Sequence, residues 1–212
     1  MRIGIIGTGN IGAGVARLFV RAGHEVALSN SRGASSLGAL VAELGPQAQA
    51  LSIEETARFG EVVLIAIPFG QYRQLPAAAF DGKIVVDARN YYPNRDGNFP
   101  ELDQGRTTSS ELMAEHLLGA HIVKAFNTIY YLHLANQGDT SKPLDERRAI
   151  FIAGDDAKAK EKVARLVEEI GFAAIDTGRL REGGKRQQPD TAVYNRVLTA
   201  KEAAAILESP GT

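Results

Sequence analysis

Not one cysteine occurs in the 212 residues, which excludes disulfides, thiolate nucleophiles and thiolate metal sites. Neither sign of charge dominates either. Twenty-four Lys and Arg stand against 25 Asp and Glu, a net charge of −1, which argues against a general nucleic-acid binder. A local basic pocket for an anionic ligand stays compatible with that balance. No window reaches the roughly 18 consecutive apolar residues of a membrane span. The opening run Met1-Arg2-Ile3-Gly4-Ile5-Ile6 enters a strand at once and lacks the charged region, apolar stretch and cleavage site of a signal peptide. The expectation is a cytoplasmic protein without nucleic-acid or membrane partners. The 4 histidines share no helical face and no carboxylate cluster, so no metal site is expected.

What is present reads as an ordinary globular chain, 44% hydrophobic and 23% charged. Short apolar, β-rich runs alternate with helical patterns, the signature of a parallel sheet covered by helices. Strands are expected near 2–6, 25–29, 48–51, 62–67, 84–88, 122–126, 149–153 and 172–176. The run Val62-Val63-Leu64-Ile65-Ala66-Ile67 is continuously apolar, as a strand buried on both faces should be. Between them, Ile11, Val15, Leu18, Phe19 and Ala22 share one helix face, and Ser52/Glu55 and Thr108/Glu111 have capping-box spacing. Two stretches break the rhythm. Residues 89–107 read as a long polar loop, and residues 177–190 read as a glycine-rich loop carrying Arg179, Arg181, Lys185 and Arg186.

Gly7-Thr8-Gly9-Asn10-Ile11-Gly12 has the spacing G-x-G-x-x-G, set between a strand and an amphipathic helix, with a second strand about twenty residues on. That context is what a dinucleotide pyrophosphate requires. The first glycine permits a tight turn, the second lets the backbone approach the diphosphate, and the third lets helix and strand pack closely. The N–H groups at the helix start then face the anion. The second strand ends Ser29-Asn30-Ser31-Arg32, with no carboxylate to repel a ribose 2′-phosphate, three polar side chains to donate, and a guanidinium to bind it. NADP(H) is therefore expected over NAD.

The run GIIGTGNIGAGVARLFVRAGHEV followed by SNSR resembles the coenzyme F420-dependent NADP oxidoreductase family. Further matches are Ala66-Ile67-Pro68, Val86-Asp87-Ala88-Arg89-Asn90, Lys124-Ala125-Phe126-Asn127-Thr128, Gly154-Asp155-Asp156 and Ile175-Asp176-Thr177-Gly178-Arg179-Leu180. The architecture is also similar to the cytoplasmic domain of the STEAP metalloreductases. The resemblance implies a Rossmann-type, doubly wound α/β fold, with a mostly parallel sheet of about eight strands and a small C-terminal lobe. Residues 1–128 would bind NADP(H), and residues 129–212 would complete the sheet and the second-substrate cleft. It further implies hydride exchange between NADPH and coenzyme F420 as co-substrate, chemistry that the cofactors carry and the protein orients.

On that reading Ile67, Pro68 and Phe69 wall the nicotinamide ribose. Asn127 and Thr128, with Asn90 beside them, orient the carboxamide or the second ring. The basic side chains of residues 177–190 are candidates to grip an anionic tail, and Tyr91 and Tyr92 to form an aromatic wall. Alternative acceptors are FMN or FAD, as in a flavin, ferric or cupric reductase. An imine or β-hydroxyacid reductase is disfavoured because the stretch after Thr128 still shows a β-α-β pattern in place of a large helical domain. A non-enzymatic NADPH-binding regulator is the third alternative. A homodimer or higher homo-oligomer is expected on general grounds.

Overall fold

The computed structural model describes residues 1–208, so the last four positions of the expected 129–212 lobe lie outside the described residues. Eight strands form one sheet: β1 (Arg2–Ile6), β2 (Glu25–Ser29), β3 (Ala48–Ala50), β4 (Val62–Ile65), β5 (Ile84–Asp87), β6 (His121–Lys124), β7 (Ala149–Gly154) and β8 (Ala173–Asp176). Their spatial order is β3-β2-β1-β4-β5-β6-β7-β8. All neighbours are parallel except β6 and β7, which run antiparallel through Val123↔Gly154 and Lys124↔Ala153. The order reverses between β1 and β4. Ligands of doubly wound sheets bind at such a switch point, beyond the carboxyl ends of the strands.

Helices cover both faces. They are α1 (Asn10–Arg21), α2 (Gly38–Leu44), α3 (Ile53–Phe59), α4 (Pro93–Asp96), α5 (Pro100–Asp103), α6 (Ser109–His116), α7 (Tyr131–Asn136), α8 (Ala157–Glu169), α9 (Leu180–Arg186) and α10 (Ala200–Glu208). Side chains alternate across the sheet with period two. Val62 and Leu64 of β4 join Ile3, Ile5, Leu28 and Val86 beneath α1 and α8. Val63 and Ile65 join Ile6, Val85 and Ile122 on the opposite face, against Ala57 of α3 and Met113 of α6. Both capping boxes form, Ser52 with Glu55 on α3 and Thr108 with Glu111 on α6.

The two irregular stretches are more structured than their composition suggests. Residues 89–107 contain α4 and α5, each started by a proline at its first position. Within 177–190, α9 lies against β7 with Gly183 and Gly184 buried. A Cβ on Gly183 would come within 2.6 Å of Thr177 Oγ1 and 2.8 Å of Ala153 Cβ, so this glycine serves close packing and not a loop. Among the described residues, no helix is long and apolar enough to cross a membrane.

Candidate cofactor and acceptor site

The turn between β1 and α1 uses its three glycines differently. Gly7 has φ +98° and donates its N–H to the Ser29 carbonyl at 2.9 Å. A Cβ there would sit 2.6 Å from the Ala66 carbonyl. At Gly12 a Cβ would be 1.8 Å from the Gly7 carbonyl oxygen, so the turn cannot close around any side chain. Gly9, the N-cap of α1, differs from both: it is exposed, and a Cβ there meets no atom within 4 Å. The missing side chain at Gly9 leaves open space before the helix N-terminus, where α1 carries no acidic residue in its first turn. That space fits a diphosphate.

Two hollows meet at this turn. One, of about 390 Å³, is lined by Thr8, Asn30, Ser31 and Arg32 on one side and by Ile67 and Pro68 on the other. The Asn30 amide donates to Ser36 Oγ at 3.0 Å and Thr8 Oγ1 at 3.3 Å, and its Oδ1 accepts from the Arg32 N–H at 2.9 Å. This Asx turn presents Ser31 and Arg32 to solvent at the mouth of the hollow. Ser29, expected to donate there, does not reach it. Its side chain is fully buried, because strand alternation turns it into the protein, and its Oγ has no partner.

The second hollow, of about 350 Å³, lies over the carboxyl ends of β1, β4, β5 and β6. Gly9, Asn10 and Ile11 reach it from the turn, and Ile67 and Pro68 separate it from the first hollow. Phe69 does not wall it. The Phe69 ring is 0% exposed, stacked on Tyr72 at 4.9 Å and edge-on to Tyr91 and Phe99, so it supports the loop from behind. The residue after Pro68 begins a 3-10 turn that swings its side chain inward.

Asn90 and Asn127 hold each other across β5 and β6. Asn90 Nδ2 donates to the Asn127 carbonyl at 2.8 Å, and Asn127 Nδ2 donates to Asn90 Oδ1 at 3.0 Å and to the Gln187 carbonyl at 2.7 Å. With both amide protons committed, Asn127 Oδ1 is buried without a partner, in a residue that lines the hollow. It is an oriented acceptor suited to an N–H of a bound ring. Thr128 stands apart: it is buried and does not line the hollow, and its carbonyl accepts from the Asn195 N–H at 3.0 Å.

The far wall is aromatic. Tyr92, Tyr130, Tyr131 and Tyr194 line it together with Phe126 and Asn195. Tyr92 and Tyr194 share a hydrogen bond between their hydroxyls at 2.5 Å across 102 positions of sequence. Burial, then the bond to Tyr92, pushes the Tyr194 phenol well above its ordinary value. Phe126 (φ 63°) and Asn195 (φ 52°) are in the left-handed region, as is Asp190 (φ 66°) in the neighbouring hollow beside Lys124. These are the only non-glycine residues with positive φ among the described residues, and two of them, Phe126 and Asn195, line the site. Tyr92 was legible in the sequence as a wall. Tyr194 was not, since the segment around it has neither helical nor strand periodicity. Tyr91 belongs to the aromatic cluster with Phe69 and Phe99, its hydroxyl donating to Asp103 at 2.9 Å.

Beneath the floor, Asp87 is fully buried and receives Arg89 Nε at 2.6 Å and Ser110 Oγ at 2.7 Å. Burial alone would push its carboxyl up. The charges of Arg89 and Lys124 and the hydrogen bonds from Arg89 and Ser110 outweigh that and hold it below its ordinary value. Lys124, also buried, is pushed down by desolvation, with Asp87 opposing.

The basic side chains of residues 177–190 do not converge on the site. Arg179 pairs with Asp155 at 3.0 Å, and Arg181 donates to the Arg106 carbonyl at 3.1 Å. Neither these nor Lys185 and Arg186 line either hollow. The segment contributes through its backbone, at Gln187. Of the histidines, His24 bridges Glu169 and the N-terminal amine, at 2.9 and 3.2 Å. No group of three or more His, Cys, Asp or Glu able to hold a metal occurs among the described residues.

Comparison with known proteins gives a consistent picture. Residues 2–91 match the family described as NADP oxidoreductase, coenzyme F420-dependent. The hypothetical protein SMa0349 from Sinorhizobium meliloti is 31% identical, with a TM-score of 0.80 over 94% of this chain and 95% of that one. A candidate F420-dependent NADP reductase from Arthrobacter sp. FB24 shares the fold, at 24% identity and a TM-score of 0.74 over 94% of this chain and 99% of its own. Metalloreductase STEAP2 of mouse and of human is 25% identical over 184 residues, 84% of this chain. The chain spans about a third of the length of these curated relatives, 33% in each case.

Proposed function

We propose that this chain, whose residues 2–91 match the coenzyme F420-dependent NADP oxidoreductase family, transfers hydride between NADPH and the deazaflavin ring of F420. The observation that carries this reading is the second hollow. It is continuous with the glycine turn, floored by strand ends, walled by tyrosines, and provided with one oriented acceptor, Asn127 Oδ1. When bound, the nicotinamide supplies the hydride and the second ring receives it.

Each residue then has a defined task. The N–H groups at the start of α1 hold the diphosphate in the space before Gly9, and Ser31 and Arg32 hold the 2′-phosphate with Thr8 and Asn30 beside them. Ile67 and Pro68 separate the adenosine and nicotinamide ends and keep the passage apolar. Asn127, pinned by Asn90 and Gln187, fixes the rotation of a ring by accepting one of its N–H bonds. Tyr92 and Tyr194 close the far side and exclude water, which strengthens every polar contact inside. Residues 1–128 form the NADP-binding part on this reading, and the segment after them supplies the acceptor wall.

A second reading keeps the same NADPH site and passes the hydride to FMN or FAD. The similarity to STEAP2, a metalloreductase, favours it. NADPH oxidation by the purified protein, run in parallel with F420, FMN, FAD and no acceptor, separates the two. Fast turnover with F420 alone is the expected result. Turnover with FMN or FAD alone would move the protein to the flavin-reductase class. Tight NADPH binding without oxidation in any reaction would overturn both and favour an NADPH-responsive regulator.

A further inference from the structure

We propose that Arg89 sets the charge of the acceptor side of the cleft, so that a flavin-type or deazaflavin ring is held more tightly after it has taken up a hydride than before. The inference rests on the hydride-transfer reading above. Arg89 lines the cleft but is only 3% exposed. Its Nε donates to Asp87 Oδ1 at 2.6 Å, its Nη2 to Met113 Sδ at 3.0 Å, and its guanidinium lies 5.3 Å from the centre of the Phe69 ring. Its Nη1 is buried and has no acceptor.

Packing does not account for this arginine. A buried guanidinium with an unpaired N–H destabilises a fold relative to an apolar side chain of similar volume. Nor is Asp87 its private counter-ion. Lys124, the register partner of Asp87 on β6, reaches the same carboxylate through Ser110, donating to Ser110 Oγ at 3.2 Å and to the Arg89 carbonyl at 3.0 Å, while Ser110 Oγ donates to Asp87. One buried carboxylate at the carboxyl ends of β5 and β6 thus serves two basic side chains, Arg89 directly and Lys124 through Ser110. Arg95, at the rim, is neutralised by Asp96 at 2.7 Å.

The chemistry of the proposed reaction asks for such a floor. The C4–H bond of the dihydronicotinamide breaks and a C–H bond forms at C5 of the deazaflavin, or an N–H bond at N5 of a flavin. Two electrons and one proton move together. The nicotinamide ring ends oxidised and cationic. The acceptor ring ends reduced with one added negative charge, spread over N1 and the C2 carbonyl oxygen until solvent supplies a proton. A fixed guanidinium close by stabilises that charge.

The test is anaerobic titration of the purified protein, without nicotinamide, with FMN and F420 in oxidised and chemically reduced form. The readout is the ratio of oxidised to reduced dissociation constants. Wild type is expected to favour the reduced ring, and Arg89→Met to lower that ratio by at least about tenfold, the effect of one nearby charge in a partly dry site. Arg89→Lys should restore the preference. Equal loss of both ring forms in Arg89→Met would show that Arg89 only shapes the cleft, and would overturn the proposal. A wild-type ratio near one would do the same, without needing any variant to fold. Wild-type protein that binds neither ring in either form would overturn the hydride-acceptor reading itself, and the proposal with it.

Discussion

The two halves of the cleft are built on different length scales. The NADP half is local: Gly7, Gly9 and Gly12 sit within six positions, and the loop that follows Ser29 is bonded to the same turn through Asn30 and Thr8. The acceptor half is assembled from distant segments. Asn90 meets Asn127 across 37 positions, Asn127 meets Gln187 across 60, and Tyr92 meets Tyr194 across 102. A short motif constrains its own geometry through sterics, so the first half tolerates little change. The second half depends on closure between segments far apart in the chain. On the proposed reading, recognition of the nucleotide and choice of an acceptor are thereby separated in the chain.

Substitutions at the turn test the first half most severely. Gly12→Val puts a side chain where even a Cβ lies 1.8 Å from the Gly7 carbonyl, and is expected to cost more than about 4 kcal/mol in urea unfolding. Gly9→Val would sharpen the contrast. With no protein atom within 4 Å of its Cβ, stability should change by less than about 0.5 kcal/mol. NADP(H) affinity should nonetheless fall by about a hundredfold, near 2.7 kcal/mol, when read by titration. Stability lost at Gly9, or nucleotide binding kept, would break the distinction between fold-demanded and ligand-demanded glycines.

The floor that joins the halves comes next. Asp87→Asn leaves Arg89 and Lys124 buried without their carboxylate and should cost about 3–5 kcal/mol. In the unmodified protein the same residue predicts an acid limb. A carboxyl held below its ordinary value stabilises the folded state above that value and ceases to do so as pH falls through the depressed one. Unfolding followed against pH should therefore show this contribution intact at neutral pH and lost only below the usual aspartate range.

Arg32→Ala addresses nucleotide choice. It should weaken NADPH by about 1.5–3 kcal/mol, the range for a hydrogen bond to a charged group, and leave NADH nearly unaffected. Equal losses would remove Arg32 from the 2′-phosphate. The smallest effect is expected at the far wall. Tyr194→Phe deletes the hydroxyl bonded to Tyr92 and should cost about 0.5–1.5 kcal/mol of stability, with the KM for the acceptor rising and that for NADPH unchanged.

All eight strands, the glycine turn and both capping boxes were legible in the sequence, because each depends on residues a few positions apart. Ser29, Phe69 and Thr128 show where such reading stops. Their places in the sequence are those of site residues, but the strand pleat, a 3-10 turn and a bond to Asn195 direct them elsewhere. The basic run at 179–186 misled in the same way, since α9 carries Arg179 and Arg181 to Asp155 and to the Arg106 carbonyl.

What the sequence by itself determined is therefore the nucleotide half: a strand, a turn with room for a diphosphate, and a second strand whose end lacks a carboxylate. Only the tertiary structure decided the antiparallel entry of β7, the pinning of Asn127 by Gln187, the tyrosine pair and the doubly shared Asp87. Short-range sterics and backbone hydrogen bonding are written in neighbouring residues. The meeting of side chains up to a hundred positions apart follows from how the whole sheet and its helices pack, and no local pattern encodes it.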